Sequence, residues 1–537
     1  MRLFLAGTLR SLLKHISSES FLLFRMHILT IDGRSLTLQQ IMEVAHGGVR
    51  VSIAESCIPD MLASRRLVEE WVATGRVMYG VTTGFGEFSN VSISREHLGE
   101  LQRNLILSHA VGCGAPLTRE LTRTLMLLRA NALVKGFSGI RVETVQTLLD
   151  MLNADVLPVI PSQGSVGSSG DLVQLAHLVT TMMGEGRCWK GDDAAGMPAA
   201  DALAEAGIAP VELGAKEGLA LINGTQMMSS CLSYATARAL SLVRQVDISG
   251  TMSLEALLGT DRACNPLLHA VRPHPGQQRV ARNILRLLAA SEVRESHRTQ
   301  HDAVQDAYSL RCMPQVHGAS RDAIGYVAGV LATEVNSATD NPLIFAESGE
   351  LIEGGNFHGQ PVALAADFLG IALSELANIS ERRIERMVNG KLSGLPRFLT
   401  EQGGLHSGLM IAQYTAASLV SENKVLAHPA SVDSIPTSAN QEDHNSMGSI
   451  GARKALQILA NVEHVIAVEF LTAAQALDFH APKRYGHGTA PAHAAIREVV
   501  PHLGEDRFLH EDLMRTADLV RRDIILDRVE QAIGPLE

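Results

Sequence analysis

The sequence SMGSIGARKALQILANVEHVIAVEFLTAAQALDF, residues 446–479, carries the strongest helical pattern in the chain. Its apolar positions recur at helical spacing on one face: Ala455, Leu459, Val462, Ile466, Phe470, Ala473 and Leu477. At about 1.5 Å per residue, a helix that ends before Pro482 is roughly 50 Å long. The stretch lacks the flanking charge pairs of a two-stranded coiled coil. It therefore predicts a central helical bundle that is shared between subunits.

Helical spacing also recurs outside this stretch, from residue 121 to 133 and from residue 142 to 152. Strand patterns are short and peripheral, at Ile28–Ile31 and at Leu343–Phe345 beside a Glu-Ser-Gly-Glu turn. We therefore predict a mainly α protein: a long central helical bundle, a smaller N-terminal lobe and minor peripheral strands.

Three regions are predicted along the chain. Residues 1–26 form an extension, either disordered or added by a start assigned upstream of Met26, although their basic and apolar pattern also resembles an organellar presequence. Residues 27–230 form an N-terminal domain. Residues 231–537 form the central helical bundle and a C-terminal helical region.

Composition limits the class of protein. Of 537 residues, 46% are hydrophobic and 19% are charged, which indicates a folded chain with ample core. The net charge of −11 disfavours a nucleic-acid partner. Six widely spaced cysteines without a Cys-x-x-Cys pair indicate reduced thiols in the cytoplasm. The longest uncharged stretch, residues 402–421, contains many polar residues, so no membrane helix is expected.

Residues 164–171 (GSVGSSGD), termed the Ser/Gly loop, precede an apolar helix that begins near Leu172. The loop lacks the Gly-Lys-Ser/Thr ending of a phosphate loop and the Gly-x-Ser-x-Gly of a serine hydrolase. Two interpretations remain on the tripeptide alone: a flexible loop, and a site of self-modification.

Self-modification requires three particular residues in order. The amide nitrogen of Gly170 attacks the carbonyl carbon of Ser168, and loss of water closes a five-membered ring. Loss of the Ser169 hydroxyl then leaves an exocyclic methylidene. The middle residue needs a β-hydroxyl that leaves, and the third must be glycine so that its nitrogen approaches closely. The product is an electrophile that no unmodified side chain provides.

Residues 164–177 (GSVGSSGDLVQLAH) resemble the cofactor segment of the histidine and aromatic amino-acid ammonia-lyases, which form 4-methylidene-imidazol-5-one (MIO) from Ala-Ser-Gly. Further segments match in the same order: residues 79–86 (YGVTTGFG), 221–226 (LINGTQ), 304–311 (VQDAYSLR), 354–358 (GGNFH) and 438–444 (SANQEDH). The resemblance covers roughly residues 27–510. It implies a homotetramer with sites built from several chains and no dissociable cofactor.

Two residues depart from the family pattern. Ser168 stands where the family usually has alanine, and Ala307 stands where relatives commonly have proline before the tyrosine. Because ring closure does not consume the Ser168 side chain, we expect Ser168, Ser169 and Gly170 to form the ring.

The resemblance also implies roles in catalysis. General-base catalysis alone supplies about 10²–10⁴ in rate, so breaking an unactivated β C–H bond needs the electrophile as well. Tyr79 is then the base, on a glycine-rich loop that closes as a lid. Asn223 and Tyr308 bind the substrate carboxylate or amine and support ring formation. Arg311 pairs with the carboxylate through two hydrogen bonds, and Phe357 packs near the ring.

The pair Ser108-His109 resembles the histidine-type pair of the family, whereas tyrosine-type relatives tend to have His-Leu and phenylalanine-type relatives Phe-Leu. His109, Gln305 and Glu442 would supply polar partners for an imidazole ring. Glu442 has a second candidate role, assisting proton transfer at the amine or imidazole. The expected reaction is elimination of ammonia from L-histidine to give trans-urocanate.

Two alternatives stay open at this point. One keeps the electrophile but acts on tyrosine or phenylalanine, as a lyase or a 2,3-aminomutase. The other is a non-catalytic helical scaffold without ring closure.

One pair of histidines has metal-ligand spacing. His297 and His301 lie four residues apart with Asp302 adjacent, but no His-Glu-x-x-His motif or third ligand accompanies them. We therefore predict an exposed helical face and no metal site.

Overall fold

The structure is a computed structural model that describes residues 28–84, 91–191, 195–298 and 304–537. The predictions for residues 1–26, for part of the glycine-rich loop after Gly84, and for His301 and Asp302 lie outside the described residues.

The described chain is mostly helical, which confirms the predicted fold class. The helices of its first half are α1 (Leu38–Ala45), α2 (Ile58–Thr74), α3 (Leu98–His109), α4 (Arg119–Leu133), α5 (Val142–Asn153), α6 (Leu172–Met182), α7 (Ala199–Ala206), α8 (Glu217–Ile222) and α9 (Gln226–Ala256). Those that follow are α10 (Pro266–Ala270), α11 (Pro275–Leu287), α12 (Glu292–Glu295), α13 (Tyr308–Arg311), α14 (Met313–Glu334), α15 (Gln360–Val388), α16 (Gly390–Ser393), α17 (Met410–Leu426), α18 (Gly448–Asp478), α19 (Thr489–Val499), α20 (Leu509–Arg521) and α21 (Ile524–Ile533).

The strands are short and form small separate sheets. They are β1 (Ile28–Ile31), β2 (Arg50–Ile53), β3 (Cys113–Pro116), β4 (Leu157–Pro158), β5 (Pro161–Gln163), β6 (Arg187–Trp189), β7 (Met197–Pro198), β8 (Leu343–Phe345) and β9 (Glu350–Ile352). Strands β1 and β2 are parallel, whereas β8 and β9 form an antiparallel hairpin. The two predicted strands, β1 and β8, are therefore confirmed. The sheets β3-β5 and β4-β6-β7 were not predicted, because strands of two to four residues carry little periodic signal.

The quoted stretch forms α18, which packs against α9 and α15 in the centre of the molecule. Every residue on its predicted apolar face is buried. The second half of the helix is buried on all sides, since Val465, Ala467, Val468 and Ala474 on the other faces are also inaccessible. A helix enclosed in this way is mostly apolar all round, and its few buried polar side chains need partners in the core. The central bundle therefore contains three long helices, of which the sequence pattern identified one.

A buried carboxylate joins these three helices. Glu469 of α18 accepts hydrogen bonds from Ser249 and Ser253 of α9, at 2.9 and 2.8 Å, and pairs with Arg383 of α15. Burial opposes ionisation of Glu469, but the charge of Arg383 and these hydrogen bonds overcome it and lower the pKa of the carboxyl group. Both charges are fully paired, as a buried ion pair must be.

Four helices begin beside the Ser/Gly loop. Helix α6 starts directly after Asp171, and the N–H of Asp171 donates to the carbonyl of Gly224, just before α9. The N–H of Gly359 before α15 donates to Gly167 O at 2.9 Å, and the N–H of Met447 before α18 donates to Val166 O at 2.8 Å. Because helix N-termini carry partial positive charge, the loop lies in a region of positive potential.

The division into residues 27–230 and 231–537 stays a prediction. Helix α9 runs through that point in the chain, and one hydrophobic cluster includes residues from both sides of it, from Leu29 to Leu536.

Helices α15 and α18 are long and apolar enough to cross a membrane by length and composition. In each, 72% of the most apolar window is buried inside the protein. Their apolar character is accounted for by packing against the rest of the core.

Candidate active site

A polar cavity of about 350 Å³ opens at the Ser/Gly loop. It brings together six of the predicted site residues: Tyr79, Ser168, Ser169, Asn223, Phe357 and Glu442. Its walls carry two further carboxylates, Glu353 and Asp443, and no Lys or Arg of the described chain lines it. The cavity is therefore electronegative at its side-chain surface, and suits the amino group of a ligand better than a carboxylate.

The backbone at Gly170 accepts no side chain. Its φ of +72° lies in the left-handed region, and a Cβ at this position would lie 2.0 Å from the carbonyl oxygen of Gly224. The N–H of Asp171 donates to the same oxygen at 2.7 Å. The requirement for glycine that ring closure imposes is thus matched by a backbone that only glycine fits.

The other end of the tripeptide is held by Gly167. Its carbonyl oxygen accepts hydrogen bonds from the Ser446 hydroxyl, at 2.7 Å, and from the N–H of Gly359. Between these anchors, Ser168 is only 3% exposed, and its Oγ has no hydrogen-bond partner among the described residues. Serine in place of alanine therefore adds a buried hydroxyl to which no described residue is hydrogen-bonded.

Asp171 holds the loop against the bundle. Its carboxyl group accepts from the N–H of Met228, at 2.9 Å, and from the Ser449 hydroxyl, at 2.7 Å. Burial raises the pKa of Asp171 to about 6, and these hydrogen bonds only partly oppose that effect. Sequence reasoning did not assign Asp171 a role, although it follows the tripeptide directly.

The main-chain carbonyl of Asn223 is hydrogen-bonded by a buried arginine. The Arg129 guanidinium donates to Asn223 O at 2.9 Å, to Gln226 Oε1 at 2.7 Å and to Ala220 O. Burial lowers the pKa of Arg129 to about 10. The side chain of Asn223 lines the cavity, and its buried Oδ1 has no partner. Sequence reasoning missed Arg129, although an arginine within the apolar run of α4 was a signal of a buried polar contact.

Glu442 contacts the tripeptide directly. The Ser169 hydroxyl donates to Glu442 Oε1 at 3.0 Å, and the Thr437 hydroxyl donates to Oε2 at 2.6 Å. His109 lies within the field of this carboxylate. Burial lowers the pKa of His109, and the negative charge of Glu442 opposes that effect.

His109 itself lines a second, apolar cavity of about 470 Å³ together with Ser108, whose Oγ is 3.1 Å from His109 Nδ1. This cavity shares no lining residue with the main one, so the predicted pair Ser108-His109 does not line the cavity at the Ser/Gly loop.

Two histidines that the sequence interpretation left without a role also line the main cavity. His358 and His444 stack with ring centroids 5.8 Å apart, and His358 Nε2 lies 3.1 Å from His444 O. Both are the last residues of matched segments, GGNFH and SANQEDH. Their position in these segments could have identified them as site residues from the sequence.

Three predicted site residues lie elsewhere. Gln305, Tyr308 and Arg311, all within the described chain, line no wall of this cavity. Tyr308 is 72% exposed, and the Arg311 guanidinium stacks on its ring at 4.6 Å. A single chain therefore assembles the electronegative part of the predicted site without its cation.

The histidine pair with metal-ligand spacing is described only at His297. Its ring is buried, and Nε2 lies 3.1 Å from Gly259 O. The prediction of an exposed helical face is therefore wrong at this residue, because α12 ends at Glu295 and the chain that follows it turns His297 towards the loop after α9. Among the described residues, no group of three metal-ligating side chains occurs.

Comparison with known proteins identifies the class. Residues 36–498 match the family model described as aromatic amino acid lyase. The chain therefore belongs to the aromatic amino acid lyase family.

Individual relatives agree with this assignment. The histidine ammonia-lyase of Natranaerobius thermophilus is 52% identical over 509 residues, which is 94% of this chain and 99% of the relative. The crystal structure of the histidine ammonia-lyase of Trypanosoma cruzi superposes with a TM-score of 0.88 at 45% identity, covering 94% of this chain and 96% of the other. The tyrosine aminomutase of Streptomyces globisporus gives a TM-score of 0.89 at 37% identity, covering 95% and 100%.

Proposed function

We propose that this protein eliminates ammonia from L-histidine to give trans-urocanate, the first step of histidine degradation. The observation that carries the proposal is the hydrogen bond from the Ser169 hydroxyl to Glu442, in a polar cavity that six of the predicted site residues line. The similarity to relatives named histidine ammonia-lyase, 52% and 45% identical over nearly the full chain, supports the choice of substrate.

We infer that the tripeptide Ser168-Ser169-Gly170 forms an MIO ring without any dissociable cofactor. The chain fits the ring: Gly170 has a backbone that excludes a side chain, and hydrogen bonds fix both flanks of the tripeptide. When formed, the ring supplies an electrophile for the substrate amine.

The residues of the cavity then bind and orient the substrate. Asn223 Oδ1, buried and unpartnered, accepts a hydrogen bond from the substrate amine. Glu442 offers a polar partner to the imidazole ring, and Phe357 lines the same cavity. His109, which lines a second cavity, is the proposed second polar partner of the imidazole. A substrate held at several points keeps its β-hydrogen in place for a base.

Tyr79, which lines the cavity, is the proposed base that removes the β-proton. An ordinary phenol has a pKa of about 10, so this role needs positive potential nearby. No Lys or Arg of the described chain lines the cavity, so the N-termini of α6, α9, α15 and α18 beside the Ser/Gly loop are the proposed contribution of one chain to that potential.

The substrate carboxylate needs a cation that one chain does not bring to the cavity. We propose that the protein is a homo-oligomer, a tetramer, in which a second copy supplies Gln305, Tyr308 and Arg311. The exposure of Tyr308 supports this arrangement. Exposed apolar side chains on α14 and α15 provide surface for assembly: Tyr326, Leu364, Phe368 and Ile371.

We further infer a cytoplasmic protein that acts on a small amino acid, without a nucleic-acid or membrane partner. The six free thiols and the net charge of −11 support this inference.

The test is turnover of purified protein with L-histidine, L-tyrosine and L-phenylalanine. We expect urocanate from histidine, followed by its absorbance, and much slower conversion of the other two amino acids. Preferred use of tyrosine or phenylalanine would contradict the substrate assignment, and a β-amino acid product would identify an aminomutase. An intact-protein mass without the loss of two waters would indicate a non-catalytic scaffold.

A further inference from the structure

The hydroxyl that must leave the tripeptide is held by a carboxylate. Glu442 Oε1 accepts the hydrogen bond of Ser169 Oγ at 3.0 Å, whereas the neighbouring Ser168 Oγ is buried without a partner. Of the titratable side chains in the described chain, Glu442 is the one that hydrogen bonds to Ser169. The structure therefore distinguishes between two adjacent serines by the contact of one of them with an acid.

The Glu442 carboxylate is itself fixed. The Thr437 hydroxyl donates to Oε2 at 2.6 Å, and the main chains of Thr437 and Glu442 exchange hydrogen bonds of 3.0 and 3.3 Å. One carboxylate oxygen is thus anchored to its own loop while the other faces Ser169. Such an arrangement preorganises a proton-transfer group at the atom on which it acts.

Ring formation releases two waters by different bond changes. In the first, a bond forms between Gly170 N and Ser168 C. The Ser168 carbonyl oxygen then leaves as water with the amide hydrogens of Gly170 and Ser169. In the second, the Cα–H and Cβ–Oγ bonds of Ser169 break and a Cα=Cβ double bond forms. The second water consists of Oγ, its own hydrogen and the Cα proton, so the step needs no oxidant or reductant.

The second step has a proton-transfer problem. Hydroxide is a poor leaving group, so a proton must reach Oγ while the Cβ–Oγ bond breaks. We propose that Glu442 carries the proton released from Ser169 Cα to Ser169 Oγ. Glu442 would then act in the formation of the ring as well as in substrate binding. The carboxylate is regenerated at the end of the step.

This inference rests on the proposed function, because it concerns the formation of the ring which that function uses. The experiment is cell-free synthesis of the full chain, with samples taken over time for intact mass and circular dichroism. Wild type is compared with Glu442→Gln, which keeps the shape of the side chain but transfers no proton, and with Thr437→Val, which removes the anchor. The matched control is Asp443→Asn, since Asp443 lines the same cavity without a hydrogen bond to the tripeptide.

We expect wild type and Asp443→Asn to lose two waters at the same rate. Glu442→Gln should accumulate a folded species that has lost one water, and should lose the second about 10²-fold more slowly. Thr437→Val should show a smaller delay in the same step.

Loss of both waters at the wild-type rate in folded Glu442→Gln would overturn the inference and leave the proposed function intact. Folded Glu442→Gln that loses no water would also contradict it, because Glu442 is assigned to the second step. Failure of wild type to lose any water would refute the proposed function itself.

Discussion

The sequence assigns two regions to one site, but a single chain brings only one of them to the cavity at the Ser/Gly loop. The wall around Ser169 is held within one chain: Arg129 of α4 donates to Asn223 O, and Ser169 donates to Glu442. Residues just before α15 and α18 donate to the Ser/Gly loop. Helix α13, which carries Tyr308 and Arg311, presents an exposed tyrosine away from that wall. One region is assembled within the chain, and the other is the region that we propose a second copy completes.

The difference follows from what each region must do. Ring closure takes place within a tripeptide whose two flanks are held by hydrogen bonds from the same chain. Binding a carboxylate requires only that a cation be brought to the cavity, and a neighbouring subunit does this equally well. The contrast leads to four predictions, each with a smaller expected effect than the one before it.

Ser169→Ala tests the region that is assembled within the chain. Without a β-hydroxyl no methylidene forms, so activity should fall by more than about 10³-fold while folding is retained. Urocanate formation, intact mass and thermal unfolding measure the three properties. The control is Ser165→Ala, a serine in the same loop that lies outside the tripeptide. Activity near the wild-type level in Ser169→Ala would show that the electrophile is not needed.

Arg311→Met tests the region that we propose a second copy completes. Loss of a charge-assisted pair with the substrate carboxylate should reduce kcat/KM by about 10²–10³-fold, mostly through KM, with full ring formation. Co-expression with Ser169→Ala provides the decisive control. If a site takes Arg311 and Ser169 from different copies, random mixing restores about a quarter of the sites. No restored activity in the mixed oligomer would place both residues of a working site in one chain.

Asp171→Asn tests how firmly the loop is held. Burial raises the pKa of Asp171 to about 6 from 3.8, so the folded state binds this proton more tightly than the unfolded state. The contribution of Asp171 to stability is greatest below pH 4 and is lost as pH rises through about 6. Relative to Asp171→Asn, wild type should lose up to about 3 kcal/mol of unfolding free energy between pH 4 and pH 7. The measurement is chemical denaturation of both proteins at pH 4 and pH 7. The same difference in unfolding free energy between wild type and Asp171→Asn at both pH values would contradict the raised pKa.

His109→Leu should have the smallest effect. Removing one polar partner of the imidazole should lower kcat/KM for histidine by about 10–100-fold, with less change for tyrosine and phenylalanine. The ratio of the three rates is the measurement. Equal loss for all three substrates would mean that His109 supports the site generally and does not select histidine.

Much of the fold was predictable because periodicity is local. The apolar face of α18 could be identified from spacing alone, and all of it is buried. Helices α9 and α15 were less visible, since α9 contains many serines that pair within the core, such as Ser249 with Glu469. In a sequence, a polar residue predicts an exposed position even where it is buried. Helices with buried polar residues are therefore not identified by apolar periodicity.

The roles of the site residues remain proposals, but the structure changes how they group. Arg129, His358 and Asp171 were not selected, because each acts through a backbone group or a residue distant in sequence. His297 was expected on an exposed face, yet its ring is buried against the loop at Gly259. A four-residue spacing places two side chains on one face only within a helix, and His297 lies in the turn after α12 ends at Glu295.

The covalent possibilities of the Ser/Gly loop and the helical class of the fold can be inferred from the amino-acid order alone, since both depend on neighbouring residues. Other features arise only when the chain folds. Four helices begin at this loop, the Gly224 carbonyl lies against Gly170, and Glu442 is hydrogen-bonded to Ser169 and not to Ser168. These contacts join residues far apart in sequence, such as Ser169 and Glu442 at a separation of 273 positions, and their geometry is set by packing of the whole bundle.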